Sequence, residues 1–323
     1  MKQKAISFFV LFFACLLLAS CGDSPEIEDR VNALQTKLDL RRFDVDFRQA
    51  SVAQLSELKT EYPFFFPRTT PDSIWEAKLR DSLQSQLLKE VAIAFPSFDS
   101  ILSHMSHLHA HFDYHFQSPE KPTIYTLTND VDPEFRVIAT DSMWLIALDN
   151  YLGPTHDFYK TFPSYVRKKT DPSYLLVDMA AAVSESLVPQ TQQAYFLSQM
   201  VYAGKKLFIQ QLLWPHDSEA KHLHFTESEY GWALENESQI WRYFLENKLL
   251  YSTDKDLAYR FLYPAPFSKF NLEIDQDSPG QVGVFMGLQL VRSYYEKNGK
   301  DLQKLLRISA VDLLKDAAYK PKK

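Results

Sequence analysis

The stretch RVIATDSMWLIALDNYLG, residues 136–153, decides the fold class, because here the hydrophobic pattern leaves the helical period. It alternates or runs apolar and is rich in β-branched and aromatic residues, as strands are. PTIYTLTN, residues 122–129, does the same. On either side the helical period dominates. TPDSIWEAKLRDSLQSQLLKEVAIAF (70–95) opens on a Pro-Asp-Ser cap and keeps its apolar spacing to Phe95. SFDSILSHMSHLHAHFDYHF (97–116) reads as a second helix. Past Gly153 further helices are expected over 175–187, 191–213, 227–247, 254–261, 281–297 and 302–314. Many helices around a small central sheet make an α+β fold.

The chain begins MKQKAISFFVLFFACLLLAS. Lys2 and Lys4 precede an apolar run too short for a stable span, which reads as an export signal over residues 1–20. Leu18, Ala19 and Ser20 lead directly into Cys21, and this ending resembles the lipobox of bacterial lipoproteins. The resemblance implies that Cys21 is lipidated and becomes the mature N-terminus, so that lipid tethers the protein to a membrane. Cys15 leaves with the signal and Cys21 is taken by the lipid, so none of the chain's two cysteines remains for a disulfide, a nucleophile or a thiolate ligand.

Residues 21–30 read as a lipidated N-terminus and a polar, acidic spacer. Residues 31–323 carry no repeat, low-complexity tract or Gly/Ser linker, and are expected to form a single globular domain. Eight glycines argue against Gly-dependent nucleotide-binding folds. Removing residues 1–20 takes away two lysines and no acids, which moves the net charge from −6 to −8. An acidic chain without a basic cluster is a poor nucleic-acid binder.

Five of the nine histidines fall between His104 and His115. At 100° per residue His104, His107, His111 and His115 share one stripe, next to an apolar face of Ile101, Met105, Leu108, Phe112 and Phe116. Such a row is able to chelate a metal, but no carboxylate or cysteine at ligand spacing completes it. The stripe is therefore read as the border of a core-packing face, with these four histidines as weak candidates and no cofactor expected. His222 and His224 form an H-x-H pair read as part of a polar loop. EIDQDSPG (273–280) lacks the spacing of a calcium loop and reads as a turn into the next helix. Gly283 and Gly287 mark a close helix–helix contact.

WALENESQIWRYFLENKLLYSTD, RFLYPAPFSKF and DSPGQVGVFMGLQLVRSYYEKNG, preceded by LIALDNYLGPTHDFY and the lipobox, resemble in their order the gliding-motility lipoprotein GldB family of Bacteroidota. The resemblance implies a cell-envelope, membrane-anchored lipoprotein needed for gliding and linked to the type IX secretion machinery. The order of strand pair, helix, Glu-bearing helix and G-x-x-x-G helix is distantly similar to zincin-type peptidases. Their catalytic helix carries H-E-x-x-H. The corresponding YLLVDMAAAVSESLVP (174–189) has no histidine, keeping only Glu185, with Glu235 and Glu237 where a third ligand is expected. The expectation is a zincin-like domain with a degenerate metal site, a pseudoenzyme serving as a non-catalytic interaction module. Tyr251, Asp254, Pro264, Pro266, Phe267 and Phe270 are its candidate partner surface. Two alternatives stand beside it. One is a zinc metallohydrolase joining the row at 104–115 to His222 or His224; the other is a substrate-binding lipoprotein with a deep apolar cleft.

Overall fold

A computed structural model of the chain describes residues 25–117, 120–190 and 194–322. Leu18 to Cys21 lie outside the described residues. In chain order the elements begin with α1 (Pro25–Leu34), β1 (Leu40–Arg42), α2 (Phe43–Gln49), α3 (Leu55–Glu61), α4 (Asp72–Arg80), α5 (Ser82–Ala94) and α6 (Asp99–Phe116). Then come β2 (Thr123–Leu127), β3 (Val137–Ala139), β4 (Met143–Ala147), α7 (Ser164–Arg167), α8 (Leu175–Leu187), α9 (Phe196–Leu213) and α10 (Glu219–His222). The C-terminal third holds α11 (Glu227–Glu235), α12 (Glu237–Glu246), α13 (Asp256–Phe261), α14 (Val282–Lys297), α15 (Leu302–Arg307) and α16 (Ala310–Ala317). Among the described residues no helix is long and apolar enough to cross a membrane.

The sheet runs β1-β2-β4-β3, the first three strands parallel and the edge strand β3 antiparallel to β4. Period-two alternation sends Ile124, Trp144 and Ile146 into the main helical core. Tyr125 points the other way, into a smaller aromatic cluster with Phe43, Phe47, Tyr62 and Phe66. Buried Thr126 on this sheet donates its hydroxyl to Asp44. The apolar run does not continue as a strand to Gly153. It ends at Ala147 in a 3-10 turn, where the Asp149 carboxylate accepts the Asn129 and Val131 N–H groups, at 3.1 and 2.8 Å. Those bonds hold Val131 at φ +61°, a left-handed conformation that a β-branched residue rarely adopts.

Three expected helices are each split in two. Asp81 turns to ψ 127° and accepts the Gln84 N–H at 2.8 Å, capping α5 instead of continuing α4. Asn236 separates α11 from α12, and Ser309 caps α16 after α15 has ended. The acidic spacer also changes status: from Pro25 it is helix α1, whose Val31 is fully buried, so the fold begins before residue 31.

Helices α9 and α14 make the most extensive helix pair. Gly204 lies against the Gly287 backbone, and a Cβ on Gly287 would fall on the Met200 carbonyl oxygen. Gly283 instead meets Phe261 and Leu262 at the end of α13, so the two glycines of α14 serve different neighbours. Gly287→Ala forces the axes apart and is expected to destabilise the fold by about 3 kcal/mol. Urea unfolding of the variant checks this; an unchanged midpoint would mean the helices separate at little cost.

Candidate functional site

Beside the edge strand β3 lies α8, the helix that matches the histidine-free stretch. Its small residues Ala181 and Ser184 leave a concavity that opens between α8, α9, α13 and α14 as a cleft of about 570 Å³. Pockets for small ligands or peptide side chains run to roughly 300–1,000 Å³. The walls are apolar at Ala203, Leu207, Leu262 and Val284 and polar at Glu185, Gln199, Lys206 and Gln210. Tyr259 and Tyr263 stand at the rim, 65% and 50% exposed, with ring centroids 5.0 Å apart and planes perpendicular. They sit at i and i+4, opposite the face that buries Leu257 and Phe261. That spacing is carried by DLAYRFLY (256–263), which lies between the two segments expected as partner surface.

The floor is His224, in left-handed backbone at φ +54°. Its Nε2 donates to Asp178 at 2.8 Å. The Asp178 carboxylate also takes Arg136 at 2.9 Å and the Tyr151 hydroxyl at 2.7 Å. Burial alone would raise this carboxyl, but the Arg136 guanidinium and then the His224 hydrogen bond hold it at about 2. Burial, and next the Lys169 charge, push His224 down to about 4, so the ring is neutral. An ionised carboxylate thus fixes a neutral imidazole. Ser184, also in the cleft, donates its hydroxyl to the Ala181 carbonyl at 2.7 Å. Glu185, the cleft's carboxylate, is paired with Lys206 at 3.0 Å. The arrangement is suited to holding a ligand.

Several expected positions move. His222 and His224 do not form a polar loop: His222 is buried on the Trp214 carbonyl at 2.9 Å and His224 is tied to Asp178. Neither joins the histidines of α6. Glu237 is buried against the Tyr319 hydroxyl and the Lys322 N–H, and Glu235 is exposed; neither lines the cleft. Tyr251, Asp254, Pro264 and Pro266 are exposed and Phe267 is half-buried. Phe270 is not surface at all, because its ring packs on Tyr243 and Phe261 at 5.0 and 5.1 Å. In EIDQDSPG, Asp275 accepts the N–H groups of Phe270, Asn271 and Leu272, which explains this acid as a turn anchor.

On α6 the row is divided. His104 is exposed beside Trp214, and His115 stacks on His111 at 6.3 Å. His107 and His111 meet partners absent from the local sequence: Glu28 of α1 and His216 of the α9–α10 loop.

The family model for gliding motility protein GldB matches residues 24–321, nearly the whole chain, and the chain belongs to that family. No curated protein and no solved structure matches it.

Proposed function

We propose that this member of the GldB family is a lipid-anchored cell-envelope protein that serves gliding by binding, not by catalysis. Its tyrosine-rimmed cleft grips a segment of a partner in the gliding and type IX secretion machinery. The observation that carries the reading is the chemistry of the cleft. Two exposed tyrosines present large, rigid contact area over a mixed interior, in which Glu185 is already paired with Lys206 and His224 is held by Asp178. The mixed sheet with an antiparallel edge strand, and α8 packed beside it, supports a zincin-like frame. Ala181, Ser184 and Glu185 face the cleft from α8, and a catalytic zinc needs three protein ligands. A degenerate site reused for recognition fits these residues.

The test is a photoreactive residue placed at Tyr259 or Tyr263 in gliding cells, together with the double variant Tyr259→Ala/Tyr263→Ala. Crosslinks to one envelope protein are expected, and gliding should be lost while the level of the chain stays normal. Full-speed gliding of the double variant at normal abundance would remove the cleft from the function.

A further inference from the structure

Helix α1 does not simply lie on the surface of the fold. It packs along α6 and brings Glu28 over the histidine stripe. The Glu28 Oε1 sits 3.0 Å from His107 Nε2, and its Oε2 sits 3.7 Å from His111 Nε2. The third imidazole arrives from another direction. His216 stands in the loop after α9, its ring against Trp214 at 4.7 Å, with centroids 5.0 Å from His107 and 5.9 Å from His111. One ligand atom from each of these four residues lies within 4.8 Å of all the others. At the centre His111 is completely buried, and among the described residues neither of its ring nitrogens has a hydrogen-bond partner. A buried polar group left in that state is costly, and proteins seldom keep one without a use for it.

We propose that Glu28, His107, His111 and His216 bind one divalent transition-metal ion, with zinc the best chemical match, and that the ion staples α1 to the body of the protein. Three imidazoles and a carboxylate are a tetrahedral zinc set. The ligand atoms of such a site lie about 3.4 Å apart, so small side-chain rotations, led by the exposed His216, close the cage. Burial and the neighbouring histidines keep the His111 ring unprotonated, which is its ligating form. A fourth protein ligand fills the position that a catalytic zinc leaves open for water, so this centre is structural. It lies on the histidine helix, away from the tyrosine-rimmed cleft, and its role does not depend on how the cleft is used.

The experiment uses the full chain, extracted in detergent and purified without a histidine tag or a chelating column. It is assayed for metal content, then stripped and titrated with zinc alone, and with cobalt(II) as a spectroscopic stand-in. About one zinc per chain is expected, with the intense visible bands of tetrahedral cobalt. His107→Gln and His216→Gln should each weaken zinc binding by roughly 100-fold, while His104→Gln, on the same helix but outside the cage, should leave it unchanged. Removing the ion should raise amide exchange across residues 25–34 selectively. His216→Gln alters an exposed side chain and keeps the test valid if a variant in the buried part misfolds. The proposal is overturned if the stripped chain takes up no zinc at equimolar concentration. It is equally overturned if His104→Gln weakens binding as much as His216→Gln, which is the mark of indiscriminate chelation by a histidine-rich helix.

Discussion

Replacing Asp178 by alanine is expected to destabilise the protein by about 3–5 kcal/mol, because it strands a buried cation. Arg136 lies 2.9 Å from that carboxylate and is largely buried, its other nitrogen donating to the Lys169 carbonyl at 2.9 Å. The Tyr151 hydroxyl and His224 lose their acceptor in the same step. The same network joins β3, the approach to α8 and the floor of the cleft, so local order at His224 should fall along with global stability. Two comparisons separate charge from shape. Asp178→Asn keeps the volume and one acceptor and should fall between alanine and the native chain. Arg136→Met combined with Asp178→Leu removes both charges and should recover much of the loss, since a buried pair is often no better than well-packed apolar residues. Urea unfolding curves for the three variants give the answer. A cost below about 1 kcal/mol for Asp178→Ala would mean that water already reaches the pair.

Acidification is the second large effect. Burial is the leading cause holding His115, His222 and His224 at about 4, against 6.5 for a free imidazole; Lys169 adds to it at His224. With all three folded values depressed, the unfolded chain takes up their protons first. Their contribution is therefore complete above pH 6.5 and is lost as the pH falls towards 4. At pH 5 the three together are expected to cost on the order of 4 kcal/mol relative to pH 7. Asp149 works in the opposite sense. Its burial outweighs the backbone N–H groups it accepts and lifts it from 3.8 to about 6, so its contribution grows as the pH drops through 6. That returns about 1 kcal/mol and leaves a net loss. Urea midpoints at pH 7 and pH 5 measure the difference. Equal midpoints would show these imidazoles to be hydrated in the folded state.

Elements whose signal is local were legible: β2, β4, α6, α8 and α14 follow from the period of their own residues. The splits at Asp81, Asn236 and Ser309 were hidden because the apolar spacing runs on across a residue that caps instead of continuing. Strand β1 consists of Leu40, Arg41 and Arg42 and has no strand pattern. It forms because its backbone pairs with β2 and because Arg42 finds Asp44 at 2.8 Å. For the site, the stripe on α6 gave His107 and His111, but Glu28 and His216 reach it only through tertiary packing. No period reports such a meeting. The cleft tyrosines were within reach of sequence reading; the Asp178 network was not, because its members are scattered from Arg136 to His224.

Helix α1 begins at Pro25, four positions after Cys21. With Cys21 acylated as proposed, fully extended chain allows a leash of no more than about 14 Å between the lipid and the folded body. A protein so short-roped cannot range through the space beside its bilayer. So anchored, it would diffuse as a disc on a sheet, with a restricted choice of faces to show, and would meet only what comes to that surface. Recruitment would then be a two-dimensional search, and the density of partners in the membrane plane, more than their bulk concentration, would set how often the cleft is filled.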